Sequence, residues 1–532
     1  MNTILTGHSI VGLSTLKTSS TFRAIDPKTD RELPPDFHPI SPSSIDEIVA
    51  QTQDAFPIYS RLSGKKRAAF LREIAAEIEA VEEDLTERMP LETALPEARV
   101  RGECARTIAQ LRLFADLVEE GSWVDARIET AQPDRHPIPK PDLRSLRQPL
   151  GPVLIFCASN FPLAFSVAGG DSAAALAAGC PIIVKAHHSH PGTAEIIGQA
   201  VMRAVQKCEL PPGTFSLIYG SGKEIGTMLI KHPLIKAVGF TGSRSGGKAL
   251  MKAAFDRDQP IPVYAEMSSI NPVVIFPKAL QANCHTIVKG LSASITLGLG
   301  QFCTNPGLIF IPECSDSERF AKHLKDELSS TKGYALNSKI AESYRTALRE
   351  ISNTQDKKVI THLLPESNST SKCQMSSALI QIPIQTFLSH RAFHQEAFGP
   401  STLLVTYGNK VELLSAIHAL EGQLTGTIHG IDSELDDASE IISALKNRVG
   451  RLLFGGFPTG VEVCHSMVHG GPFPATSEGR STSVGTLSID RFVRSICYQN
   501  TPDALLPDEL KDANPLGILR LINGNHTRNP LS

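Results

Sequence analysis

From residue 151 onward, five short apolar runs alternate with four stretches of helical periodicity. The runs are 152–157, 181–185, 215–219, 235–240 and 261–265; the helical stretches lie near 163–178, 191–207, 222–231 and 245–255. Strands separated by helices in this way pair in parallel, which predicts an α/β fold built on a doubly wound sheet. Such sheets bind ligands at the carboxyl ends of their strands. Asn160, Lys185, Gly220, Gly242 and Glu266 all fall just after strand ends.

The rest of the chain is organised around that block. Its 532 residues allow two or three domains with ample cores. Between 44 and 120 the pattern is helical, with Ile45, Ile48, Val49, Thr52 and Phe56 on one face and Phe70, Ile74, Ile78 and Val81 on another. Residues 127–150 carry Pro133, Pro137, Pro139 and Pro141 and then alternate leucine with charge, which suits an extended arm or edge strand. A second alternating region spans about 266–450. The polar segment 367–372 reads as an exposed tip.

Charge and cysteine usage exclude several classes. A net charge of −3 gives no basic field for nucleic acid and no polybasic patch for a membrane. Ten cysteines without a C-x-x-C pair argue against disulfide frameworks and zinc ribbons and for a reducing, cytoplasmic setting. No apolar run reaches the ~18 residues of a membrane span. Residues 1–25 are rich in Ser and Thr, carry Lys17 and Arg23 and have no acid before Asp26, as transit peptides do, but no basic amphipathic helix is evident.

The chemistry concentrates in Gly300-Gln301-Phe302-Cys303-Thr304-Asn305-Pro306-Gly307. A cysteine among small, turn-forming residues lets a substrate approach, and its thiolate can attack a carbonyl while backbone N–H groups steady the oxyanion. Most cysteines are core packing, so the reading depends on company. The strand Val263-Tyr264-Ala265-Glu266 delivers a carboxylate suited to activating water. Asn160, closing another apolar run, offers an amide to an oxyanion, and Glu396-Ala397-Phe398-Gly399-Pro400 places a carboxylate beside an aromatic.

In this order, Asn160, Glu266, Cys303 and Glu-x-Phe-Gly-Pro resemble the aldehyde dehydrogenase superfamily, from about residue 20 to the C-terminus. The resemblance implies a Rossmann-like cofactor domain (1–126 and 151–265), a catalytic domain (266–450), a substrate-tunnel loop (451–485) and a β-arm with a tail (127–150 and about 486–532) that supports a homodimer or homotetramer. It implies Cys303 as nucleophile, Glu266 as base and Asn160 as oxyanion donor, and it reads Ile10–Leu13 and Phe22–Pro27 as the hairpin that opens these enzymes. Glu396 would hold the nicotinamide ribose and Phe398 the nicotinamide end. Gly242, Ser243 and Gly247, at a strand-to-helix turn, would receive the pyrophosphate. Ala94 stands where the family commonly has glycine.

Lys185-Ala186-His187-His188-Ser189-His190 bears on cofactor choice. NAD-selective relatives carry an acid three residues after the lysine; here that position is His188, and Lys185 with Lys223 supplies positive charge, which favours NADP while leaving NAD possible. A metal site at the three histidines is set aside because no Cys or carboxylate ligand sits at a suitable spacing.

The runs 457–476 and 480–485 resemble those of the α-ketoglutaric semialdehyde (2,5-dioxopentanoate) branch; NADP-dependent long-chain or broad-specificity aldehyde oxidation is the alternative. A substrate with a distal carboxylate needs a cation in the tunnel, for which Arg106 and Arg480 are candidates, with Phe165 and Cys464 as further lining residues. An acylating, coenzyme A-dependent enzyme has no need of Glu266 as base, and a catalytically silent relative has no need of the whole set.

Overall fold

The computed structural model describes residues 3–352, 359–363 and 371–531; most of the polar segment 367–372 lies outside them. The alternating block forms a seven-stranded sheet. In sheet order its strands are Val263–Glu266, Ala237–Thr241, Val153–Phe156, Ile182–Lys185, Phe215–Ile218, Ser9–Val11 and Ser14–Leu16. The five strands expected from the apolar runs are parallel and in register, so that Phe156, Lys185, Ile218 and Phe240 line one edge. Each is almost wholly buried because helices cover both faces, which is why their sequences are continuous rather than alternating.

One expected helix starts late. The pattern predicts a helix near 163–178, yet the helix is Gly170–Ala178. Residues 161–169 form an irregular turn instead, tied by Ala158 N–H to Phe165 O and by Gly170 N–H to Ala164 O. Buried Glu103 completes it, one carboxylate oxygen accepting from both Leu163 and Ala164 N–H at 2.9 Å. This turn sets Asn160 and Phe165 beside the site.

The amino-terminal reading needs correction. Ile10 and Phe22 do not share a hairpin: Ser9–Val11 turns back on Ser14–Leu16 and joins the large sheet at Phe215–Ile218, whereas Phe22–Ile25 pairs with Glu32–Phe37 in a separate ribbon. Gly12, at φ +58, makes the first turn directly, so the chain reverses before it reaches Phe22.

The second alternating region forms another seven-stranded sheet, ordered Ile360–Leu363, Ala378–Pro383, Ser401–Tyr407, Leu308–Pro312, Pro272–Ile275, Gln423–His429 and Val449–Phe454. Residues 127–149 and the tail meet in a five-stranded sheet, ordered Val493–Gln499, Leu143–Pro149, Arg127–Glu129, Arg520–Ile522 and Asn525–Thr527. Among the described residues no helix is long and apolar enough to cross a membrane.

The helical segment 45–120 contains one costly residue. Ala94 ends the helix Glu82–Thr93 in the left-handed conformation, φ 59 and ψ 6, where a Cβ is unfavourable by about 1 kcal/mol. Ala94→Gly should therefore stabilise the fold by about 1 kcal/mol less any unfolded-state entropy gained, which a raised midpoint of urea unfolding would show. A midpoint that falls would show that the turn tolerates alanine without strain.

Candidate active site

Glu266 ends the outermost strand of the first sheet, and the chain returns to cover that edge two hundred residues later. Met267 N–H donates to Ala475 O at 2.7 Å and Ser477 N–H to Ala265 O at 2.8 Å, so residues 475–477 run alongside the strand. The flanking loop is thereby laid over Glu266. His469 Nε2 lies 3.0 Å from Glu266 Oε1, and the Ser483 hydroxyl donates to Oε2 at 2.5 Å.

Cys303 arrives from the other sheet. Gly298, Leu299 and Gly300 take φ of 55, 58 and 66, a left-handed run that reverses the chain after the helix Pro277–Thr296. Glycine is required at 300: a Cβ there would lie 2.2 Å from Gly399 O. Asn271 Nδ2 holds the following turn, donating to Cys303 O and Asn305 O, each at 2.8 Å. The result places Cys303 Sγ 3.4 Å from His469 Nε2. One imidazole nitrogen therefore faces both the thiol and the carboxylate.

Burial pushes the Cys303 thiol well above its ordinary range, and the charges of Glu266 and Glu396 add to the effect. Burial also disfavours the Glu266 carboxylate, but His469, with the hydrogen bonds from His469, Ser483 and Cys303, outweighs it and leaves this group below the usual value. Thus at rest the site holds a neutral thiol beside an ionised carboxylate. Asn160 Nδ2 donates to Gln301 O at 3.0 Å, which fixes the amide against the Cys303 loop.

A cavity of about 210 Å³ opens onto Cys303 and His469. Phe161, Phe165 and Phe302 supply its apolar wall, and Arg99, Glu103 and Arg106 face it from the helix Glu97–Glu120, at positions one and two turns apart. The two arginines differ in their partners. Arg99 pairs with Glu103 at 3.2 Å and lies over the rings of Phe161 and Phe302, 4.4 and 4.7 Å from their centroids. Arg106 forms no ion pair among the described residues; one nitrogen donates to Val461 O and its Nε is buried without a partner. Phe165 lines this cavity, whereas Cys464 does not.

Arg480 requires a correction. Its side chain is 94% exposed and faces Glu478 at 3.5 Å, so it stands in solvent rather than in the tunnel. The loop's polar composition made it a candidate, but winding 475–477 onto the strand edge turns residue 480 outward.

Of the expected cofactor residues, Lys185, Gly242 and Ser243 stand at or just after the carboxyl ends of strands of the first sheet. Ser243 caps the helix Arg244–Phe255, accepting from Gly246 N–H at 3.2 Å, and Gly242 N–H donates to Glu266 O at 3.0 Å. Gly247 packs on Met267, where a Cβ would lie 2.5 Å from Sδ. Lys185 is buried, and burial lowers its ammonium from the usual range. His188, exposed at its surface, is brought down to about 4 by burial of its ring and by Lys185, so it is neutral at neutral pH. Lys223 is exposed in the wide turn Gly222–Gly226. Glu396 and Phe398 line a small cavity behind the Cys303 loop with Gly300 and Asn305. Burial pushes the Glu396 carboxyl up to about 8, opposed by hydrogen bonds from Ser268 and Ser269.

Sequence reasoning missed His469, Asn271 and Ser483. His469 had a weak signal, a histidine followed by two glycines; the other two had none beyond polarity.

A half-buried cysteine thus lies beside a buried carboxylate and a buried imidazole where a doubly wound sheet meets a second α/β sheet. The chain belongs to the aldehyde dehydrogenase family, whose profile matches residues 15–471. It is 47% identical over 523 residues to alpha-ketoglutaric semialdehyde dehydrogenase 2 of Azospirillum brasilense, covering 98% of this chain and 99% of that one. It is 46% identical over 488 residues to alpha-ketoglutaric semialdehyde dehydrogenase of Acinetobacter baylyi, covering 91% and 92%. Betaine aldehyde dehydrogenase of Staphylococcus aureus, solved with NAD+, shares the fold with a TM-score of 0.79 at 18% identity, over 94% of this chain and 97% of that one.

His469→Ala should slow alkylation of Cys303 by iodoacetamide by about 10- to 100-fold at neutral pH, the loss of one hydrogen bond to a charged group. Mass spectrometry of the Cys303 peptide against time measures it. An unchanged rate would mean that the imidazole serves Glu266 alone.

Proposed function

We propose that this enzyme oxidises 2,5-dioxopentanoate to 2-oxoglutarate with NADP as the preferred cofactor. The observation that carries the substrate is Arg106, a cation lining the Cys303 cavity with no ion pair among the described residues. Buried without an opposite charge, such a group is costly, and a substrate carboxylate removes that cost. A long alkyl chain would leave it unsatisfied. The identity to two semialdehyde dehydrogenases over nearly the whole chain supports the same reading.

In this mechanism His469 accepts the Cys303 proton at Nε2 as its Nδ1–H tautomer, the imidazolium so formed then donates from Nε2 to Glu266, and the thiolate attacks the aldehyde carbon. The Asn160 amide and the Cys303 backbone N–H hold the oxyanion. A dinucleotide held by Gly242, Ser243, Gly247, Glu396 and Phe398 would supply the acceptor for the hydride that leaves the Cys303 adduct as it becomes a thioester. Glu266, kept ionised by Ser483 and His469, then takes a proton from water, and the hydroxide releases the acid from Cys303.

For the cofactor, Lys185 and Lys223 supply positive charge around the adenosine end, and neutral His188 replaces an acid that would repel a 2′-phosphate. Gly242, Ser243 and Gly247 would carry the pyrophosphate at the helix start, and Glu396 and Phe398 the nicotinamide end. The arm and tail sheet, with Val493–Gln499 at its edge, supports a homodimer or homotetramer.

The test compares kcat/KM for 2,5-dioxopentanoate and for a neutral aldehyde of similar length, each with NADP and NAD. Arg106→Ala should cost the oxo-acid about 2–4 kcal/mol, roughly 30- to 1000-fold, and leave the neutral aldehyde unchanged. Equal losses on both would make Arg106 structural, and a clear preference for NAD in the wild type would overturn the cofactor assignment.

A further inference from the structure

The three groups that face one another at the centre of the site also form a set of metal-ligand donors. Sγ of Cys303, Nε2 of His469 and a carboxylate oxygen of Glu266 all lie within 4.8 Å of one another, the one such group among the described residues. Two of the three separations are 3.4 and 3.0 Å. Ligands at 2.0–2.3 Å in a tetrahedral zinc site stand roughly 3.2–3.8 Å apart, so small side-chain shifts suffice. We propose that Cys303, His469 and Glu266 bind a zinc ion reversibly and that the bound ion shuts the enzyme off.

Charge supports the assignment. A thiolate and a carboxylate around a divalent cation, with a neutral imidazole, make a complex of zero net charge, the form least costly to bury. The ligand types are those zinc favours, and three protein ligands leave a fourth position open to the cavity, where water completes the shell. The cavity also gives the ion its entry path. Ser483, bound to the other carboxylate oxygen, orients Glu266 as an outer partner orients a ligand. The three histidines at 187, 188 and 190 do not compete: His187 stacks on His190 and lies tilted against His188, and they form no metal-sized cluster among the described residues.

A bound ion removes the nucleophile, its imidazole partner and the water-activating carboxylate together. Inhibition should therefore be competitive with aldehyde and reversed by a chelator. The inference rests on the geometry of the three side chains and not on the substrate named above.

The experiment titrates full-length protein, freed of thiol reductants, with zinc against a chromophoric chelator and repeats the titration with cobalt. The starting protein is a Cys314→Ser, Cys497→Ser variant, which removes the two exposed thiols. The expected result is one ion per chain, a thiolate-to-cobalt charge-transfer band, and protection of Cys303 from iodoacetamide by zinc. His469→Ala should weaken zinc at least ~10-fold, the lower bound for losing even an outer partner, and Ser483→Ala should weaken it less. Alkylation protection reads the same site in the native sequence, so it decides the case if a variant misfolds. No stoichiometric ion, a band that survives Cys303→Ala, or unprotected Cys303 under saturating zinc would overturn the proposal.

Discussion

The carboxylate of Glu266 joins segments more than two hundred residues apart, and the geometry of the site follows from that join. Its strand ends at the edge of the first sheet, where backbone groups would otherwise lack partners. Residues 475–477 supply them, and in doing so bring His469 and Ser483 onto the two carboxylate oxygens. The second sheet contributes Cys303 through a left-handed reversal in which glycine is required at 300, where a Cβ would strike Gly399 O. Asn271 then fixes the cysteine's backbone to the strand that follows Glu266. Thiol, imidazole and carboxylate are thus positioned by three segments, each anchored through main-chain hydrogen bonds.

In the proposed mechanism this arrangement separates two tasks that a lone carboxylate would have to perform in turn. Burial and the neighbouring acids keep the thiol protonated, and the mechanism takes His469, 3.4 Å from sulfur, as the proton acceptor. Glu266 stays below the usual carboxylate range, which in that mechanism leaves it to act on water after the first half-reaction. On the substrate side, Arg99 is engaged by Glu103 and two aromatic rings, while Arg106 lines the cavity with no ion pair among the described residues. The same helix therefore carries one structural arginine and one available to a ligand.

Much of this could be read from residue order. The five parallel strands appear within a residue or two of the apolar runs because strands buried on both faces have no polar interruptions. Glu266 and Cys303 were legible because each stands among small residues just beyond an apolar or helical element. Other features depend on distant pairing and leave no local trace. His469 and Ser483 matter only because residues 475–477 lie on the strand edge, and the same winding sends Arg480 into solvent. The delayed helix start at Gly170 arises from Glu103, sixty residues upstream, capturing the Leu163 and Ala164 N–H groups. Ala94 shows the opposite case: the departure was visible in sequence, and the backbone explains it through a positive φ.

The central claim is that His469 serves the thiol while Glu266 serves the water, and rapid mixing of Glu266→Gln with aldehyde and NADP tests it most directly. The account predicts a full burst of one reduced cofactor per active site, followed by a steady rate lower by about 10²- to 10⁴-fold, with the acyl group trapped on Cys303. A variant that loses the burst itself would contradict the division, because Glu266 would then be needed to activate the thiol as well.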